Sequence, residues 1–306
     1  MTGGVDTRVS IGAVSLPTPV IAASGTFGYG LEFAGLVDLS AVGAIAVKGL
    51  SLEPYPGKPP PRLVESPAGM LNAIGLQNVG VDAFLRERLP ALARLGARVV
   101  ANFWGDSPEE FAECGARLDQ APGLVALELN AASPNRPEWG GIIASDPVAL
   151  AAIVHAVRRR VRMPLWVKLS PNVTDITLVG RAVEAEGADA LCAINTLRGL
   201  AVDVATRRPR LRSVTGGLSG PAIKPVALAM VWALARSVHI PVVGIGGIRS
   251  GEDALEFLCC GARAVQVGTA TFYDPRAPVR VAREMAAWCS RHDVTSVAEL
   301  VGTLCP

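Results

Sequence analysis

Apolar residues along this chain gather into short continuous runs, rich in Val and Ile, each closed by Gly, Pro or a polar residue. Eight such runs lie at residues 19–22, 44–48, 98–102, 125–130, 165–170, 188–195, 241–244 and 264–268. Runs of this length without polar alternation predict strands buried on both faces of a parallel sheet. Helical periodicity fills most of the intervals, at 81–95, 108–118, 147–161, 174–186, 224–238 and 251–260. Ser107 followed by Pro108 reads as an N-cap with proline at the first helical position. Residues 277–288 and 294–300 predict closing helices.

Strands that alternate with helices eight times predict an α/β fold, a TIM (β/α)8 barrel, with residues 1–306 as one domain. Two doubly wound halves are the alternative. They have less support, because no Gly/Ser/Pro-rich linker divides the chain and no G-x-G-x-x-G follows the first strand. A barrel needs only about 250 residues. The excess falls in long connections near 50–77, 131–145 and 196–219. Long loops in a compact domain are often lids or site walls.

Composition then narrows the function classes. Half of the 306 residues are hydrophobic and 18% are charged, which excludes disorder and allows a large core. Lys and Arg number 29 against 27 Asp and Glu, so charge gives no reason to expect nucleic acid or an anionic membrane as partner. The six cysteines show no C-x-x-C pair and read as small buried hydrophobes in a reducing compartment. They give no support for a zinc or iron–sulfur site made by this chain, and no metal is expected. Residues 1–10 lack a signal-peptide profile. The longest apolar runs fall short of the roughly 18–20 residues that span a bilayer. A cytoplasmic protein is expected.

Candidate chemistry sits where the strands end. The seventh strand runs into Gly244-Ile245-Gly246-Gly247-Ile248 and the eighth into Val267-Gly268-Thr269-Ala270. Barrels often bind phosphate with these two loops, through backbone N–H groups. Ordinary tight turns are the alternative reading. Lys48, Asn102, Asn130, Lys168 and Asn195 each close an apolar strand run. A single strand-end lysine is usually a snorkelling surface residue. Two lysines and three asparagines at the catalytic end of a barrel instead suit an anionic ligand rich in carbonyl and N–H groups. None of the three histidines (His155, His239, His292) falls at such a position. Ser133, in Asn130-Ala131-Ala132-Ser133-Pro134-Asn135, reads either as a catalytic hydroxyl or as common Ser-Pro-Asn turn chemistry.

Taken together these segments resemble the dihydroorotate dehydrogenases, FMN-dependent barrels of pyrimidine biosynthesis. The resemblance covers nearly the whole chain. It runs through residues 23–30 (ASGTFGYG), 47–49 (VKG), 69–78 (GMLNAIGLQN), 167–175 (VKLSPNVTD), 194–196 (INT) and 216–225 (GGLSGPAIKP), and it includes both glycine loops. The forms at 25–28 and 217–225 look most like the NAD-linked soluble subclass. The resemblance implies FMN contacts at Ser24, Lys48, Gly49, Asn102, Asn130, Lys168, Ile194, Gly220, Gly246, Gly247, Gly268 and Thr269. It implies contacts to the dihydroorotate ring and carboxylate at Lys48, Asn72, Ala73, Ile74, Gly75, Leu76, Asn130, Asn135, Asn195 and Thr196.

The implied reaction is oxidation of (S)-dihydroorotate to orotate. Ser133 would act as base at C5 while hydride leaves C6 for FMN N5, with Lys48 and Lys168 facing the flavin's negative charge. One position departs from the subclass: soluble members usually carry a cysteine base where this chain has Ser133, and serine is the base of the membrane-associated, quinone-linked subclass. The loop through Glu138-Trp139-Gly140-Gly141 would close over substrate. The resemblance further implies a homodimer and, if NAD is the acceptor, a partner subunit carrying FAD and an iron–sulfur cluster. The rival readings are an FMN-dependent enzyme acting on a related pyrimidine or conjugated acid, and a non-catalytic FMN- or phosphate-binding barrel.

Overall fold

The computed structural model describes residues 4–133 and 143–305. Burial explains why the apolar runs become strands. Numbered in chain order, β3 (Val20–Ala22), β4 (Ala44–Ala46), β7 (Val99–Phe103), β9 (Leu165–Lys168), β10 (Ala190–Ala193), β15 (Val242–Ile245) and β16 (Ala264–Val267) are buried at every residue. Only Val125 interrupts the burial of β8 (Leu124–Leu129). These eight strands pair in parallel and close into a barrel in chain order, the expected (β/α)8 architecture. A preceding hairpin, β1 (Val9–Ile11) with β2 (Val14–Leu16), adds its buried Val and Ile side chains to the same core.

Most of the helices follow the predicted periods. α1 (Val81–Ala83) passes through a π-helical turn at Phe84–Arg88 into α2 (Leu89–Arg94). α3 (Pro108–Leu118), α4 (Pro147–Arg158), α5 (Ile176–Ala185), α6 (Lys224–Ala235), α7 (Gly251–Cys259) and α8 (Ala277–Arg291) complete the outer ring. Ser107 caps α3 by accepting from the Glu110 N–H, and Ser250 with Asp253 forms a capping box on α7. α4 stops three residues early, where the Arg158 guanidinium turns back onto the Val161 and Met163 carbonyls. The expected helix at 294–300 is only a 3₁₀ turn, Val297–Leu300. Asp293 adopts a left-handed backbone that breaks the chain away from α8, and a new cap at Ser296 starts the turn.

The larger difference lies in two of the long connections, which are not structureless loops. β5 (Leu63–Ser66) and β6 (Gly69–Asn72) from the first join β11 (Leu197–Leu200) and β14 (Thr215–Ser219) from the second in one antiparallel sheet, ordered β11–β14–β6–β5. Leu71 lies opposite Leu218 and Asn72 opposite Gly217. β12 (Val202–Asp203) and β13 (Arg208–Pro209) form a further hairpin. Among the described residues no helix is long and apolar enough to cross a membrane.

Candidate active site

The polar strand ends converge. A cavity of about 340 Å³ opens at the C-terminal end of the barrel, the end where barrels place their chemistry. Lys48, Asn102, Asn130, Lys168 and Asn195, picked out because each closes an apolar run, all line it.

Hydrogen bonds order this floor. Asn195 Nδ2 donates to Asn130 Oδ1 at 3.3 Å, and Asn130 Nδ2 donates to Asn102 Oδ1 at 3.3 Å. Asn102 Nδ2 donates in turn to Glu128 Oε1 at 2.6 Å. Lys168 Nζ donates to Ser24 Oγ at 3.1 Å and lies 3.6 Å from Glu128 Oε1. Side chains wired in series on rigid strands are held in one orientation before any ligand arrives. The Lys48 ammonium differs. Among the described residues it has no carboxylate within salt-bridge distance, and burial, then the nearby Arg62 charge, lowers its pKa against a smaller pull from Glu32. A cation so placed is complementary to an anionic ligand.

One corner is made of backbone. Gly220, Gly246, Gly247, Gly268 and Thr269 line it. At Gly247 the backbone has φ +78°, and a Cβ would stand 2.7 Å from the Lys224 Cβ and 3.0 Å from the Gly220 carbonyl. At Gly246 a Cβ would press on Ala227 at 2.8 Å. Only glycine fits there, which leaves bare peptide groups facing the cavity, as a phosphate cradle requires. Lys224 Nζ braces the corner from behind with Asp253 at 2.6 Å and Glu256 at 2.9 Å. Thr269 Oγ1 donates to Ser219 Oγ at 2.8 Å, tying the corner to the antiparallel sheet.

The third side is that sheet and its connections. Asn72, Ile74, Gly75, Leu76 and Thr196 line the cavity. Asn72 Nδ2 donates to the Gly217 carbonyl at 3.2 Å. Asn172 fixes the Thr196 segment by donating to its carbonyl at 3.0 Å and accepting from the Arg198 N–H at 2.8 Å. Ser24, Gly49 and Ile194 complete the expected cofactor contacts at the cavity wall.

Ser133 also lines the cavity and is 5% exposed. Among the described residues no cysteine lines it. Cys192, the cysteine nearest the floor network, is buried in β10, and burial pushes its thiol far above the ordinary range, so it supplies no thiolate. One expected contact is not brought in. Ala73 packs with Leu71 and Leu211 in a small separate core, because successive strand residues face opposite sides. Asn135 lies outside the described residues, as does the Glu138–Gly141 stretch. Arg62, Thr26 and Ser219 line the cavity without having been singled out. Glu128 and Gln266 stand directly behind it. Their signal was present in the sequence: each interrupts an apolar strand run with a polar side chain at the spacing that points into the barrel.

The expected FMN fits this chemistry. The glycine corner offers backbone to a phosphate, the floor offers amides and an ammonium to a flavin ring, and Lys48 offers charge where a substrate carboxylate would meet it.

The sequence profile of the dihydroorotate dehydrogenase family matches residues 7–288. A protein of Pelobacter propionicus named dihydroorotate dehydrogenase B (NAD(+)), catalytic subunit, is 53% identical over 299 residues, 98% of each chain. One of Citrifermentans bemidjiense with the same name is 52% identical over the same share. A relative in Solibacter usitatus, 53% identical over 96% of this chain and 97% of its own, bears a name of the fumarate-linked A type.

Proposed function

The chain belongs to the dihydroorotate dehydrogenase family, and from that premise we propose that it oxidises (S)-dihydroorotate to orotate with FMN bound at the C-terminal mouth of the barrel. The observation that carries this reading is the convergence of Lys48, Lys168, three strand-end asparagines and Ser133 on one cavity beside a backbone-lined glycine corner.

FMN, when bound, supplies the two-electron acceptor that takes hydride from C6 of the substrate at its N5. Gly246, Gly247, Gly268 and Thr269 would hold its phosphate, while Lys168, Asn102 and Ser24 would stand beside its ring. Asn72, Asn130, Asn195 and Thr196 pair with the pyrimidine amides, and Lys48 meets the carboxylate. Holding the ring in this way shortens the transfer distance in advance. Ser133 receives the C5 proton, so that the C5–H and C6–H bonds break and a C5=C6 double bond forms. A serine hydroxyl is a weaker base than a thiolate, so Ser133 Oγ would take the C5 proton as its own hydroxyl proton passes to solvent water.

The names borne by the Pelobacter and Citrifermentans relatives favour NAD as final acceptor. This chain carries no G-x-G-x-x-G after its first strand. The reading therefore includes a partner subunit with FAD and an iron–sulfur cluster; by family analogy it also includes a homodimer of this chain and a cytoplasmic setting. Residues 1–306 act in it as one barrel domain.

The test is an assay of FMN-reconstituted protein with dihydroorotate and an artificial dye acceptor, following orotate by its ultraviolet absorbance. Orotate formed in step with dye reduction is expected. Protein that binds FMN and yields no orotate would instead favour a related pyrimidine or acid as substrate.

A further inference from the structure

Behind the floor stands a carboxylate for which the proposed reaction has no use. Glu128 is the fifth residue of β8 and is fully buried inside the barrel. Register sets it beside Asn102 of β7 and Trp166 of β9. It does not itself line the cavity. Yet its Oε1 touches the floor from below, while Oε2 is held from behind. Oε1 accepts from Asn102 Nδ2 at 2.6 Å and Ser24 Oγ at 3.3 Å, and faces Lys168 Nζ at 3.6 Å. Oε2 accepts from Gln266 Nε2 at 2.5 Å. Residues reached from three other barrel strands and from the loop after β3 thus meet at one side chain.

A buried carboxylate is costly unless paired and hydrogen-bonded. Here burial pushes the carboxyl up, but the Lys168 ammonium, Gln266 and Asn102 outweigh it and hold the group below the ordinary carboxylate range. Glu128 is therefore an anion against the one floor lysine that is paired. Reduction of a flavin adds negative charge to its ring, and a nearby cation favours that charge. A carboxylate directly behind the cation subtracts from the effect.

We propose that Glu128 is the positioning residue of the flavin floor: it fixes Ser24, Asn102 and Lys168 from beneath and offsets the Lys168 charge, so that bound flavin sits at a lower reduction potential than the lysines alone would set. This rests on the flavin reading of the cavity, which FMN uptake by the wild-type protein tests separately.

The experiment compares wild type, Glu128→Gln and Glu128→Asp, each reconstituted with FMN and titrated spectroscopically against a reference dye. Glu128→Gln keeps the shape and one acceptor oxygen, puts an amide donor in place of the other, and loses the charge; its midpoint potential is expected to move to more positive values. Glu128→Asp keeps the charge and shortens the reach, and its midpoint is expected to stay closer to wild type. A purely structural role predicts the reverse order, with Asp the more disturbed. Wild type that binds FMN while Glu128→Gln keeps the wild-type potential overturns the inference alone. Wild type that takes up no FMN overturns the flavin reading and the inference together. Should Glu128→Gln fail to fold, redox difference infrared spectra of ¹³C-glutamate-labelled wild type decide. A buried carboxylate stretch that shifts on flavin reduction, and is lost in Glu128→Asp, supports the inference; a silent glutamate region overturns it.

Discussion

Asn102, Asn130, Lys168 and Asn195 stand on or just beyond four consecutive strands of the barrel, and three of these four make a continuous series of hydrogen bonds that ends on buried Glu128. Across the cavity, Asn72 stands on a four-stranded antiparallel sheet and donates to Gly217, a residue 145 positions away in sequence. The floor is thus built by the barrel itself, and the facing wall by two excursions that pair with each other. Strands buried on both faces hold side chains with little freedom. A sheet at the rim with partly exposed strands, such as β5 and β11, opens at lower free energy cost. On the proposed reading, cofactor and proton chemistry belong to the floor, and the wall adds to the floor amides a second set of contacts that select the substrate.

Substitutions that separate the two regions test this division. Ser133→Ala, on the floor side, should have the largest effect: the rate of flavin reduction by dihydroorotate falls by about 10²–10⁴, the usual worth of a general base, while FMN binding stays unchanged. Stopped-flow absorbance reads the rate, and a full rate in this variant removes Ser133 as the base. Gly247→Ala comes next. It forces a Cβ to 2.7 Å from Lys224 at φ +78°, a strain of roughly 1–3 kcal/mol. FMN should dissociate about 10-fold or more faster by fluorescence recovery, the factor that about 1.4 kcal/mol represents.

Asn72→Ala acts on the wall. Loss of one substrate-facing amide should raise KM for dihydroorotate about 10-fold, from a hydrogen bond worth about 1 kcal/mol or somewhat more, with flavin affinity unchanged. A variant that loses FMN instead would erase the boundary between the regions. Ser219→Ala should have the smallest effect. It cuts the 2.8 Å link from Thr269 that joins wall to phosphate corner, and a net loss of about 0.5–1 kcal/mol predicts an FMN dissociation constant raised about 2–5-fold.

The same two regions differ in how far the sequence disclosed them. All eight barrel strands were legible, because burial on both faces writes each as a continuous apolar run. The floor residues were legible because a polar side chain closing such a run has few reasons to be there. The wall was not. Leu63-Val64-Glu65-Ser66 and Thr215-Gly216-Gly217-Leu218-Ser219 are short, half-exposed or glycine-rich, and the sheet that holds them is closed across nearly half of the chain. Only tertiary contact makes strands of them. The family resemblance implies a contact at Ala73 along with Asn72 and Ile74, yet strand alternation turns it to the far side. Glu128 and Gln266 carry a signal in the sequence, a polar side chain inside an apolar run, but only the closed barrel shows them meeting.

The most direct measurement is anaerobic mixing of the FMN-reconstituted wild-type protein with dihydroorotate, followed by the flavin's visible absorbance. The account predicts that the yellow band bleaches in proportion to bound FMN, with orotate released in equal amount. A band that persists at saturating dihydroorotate, on protein shown to hold FMN, would contradict it.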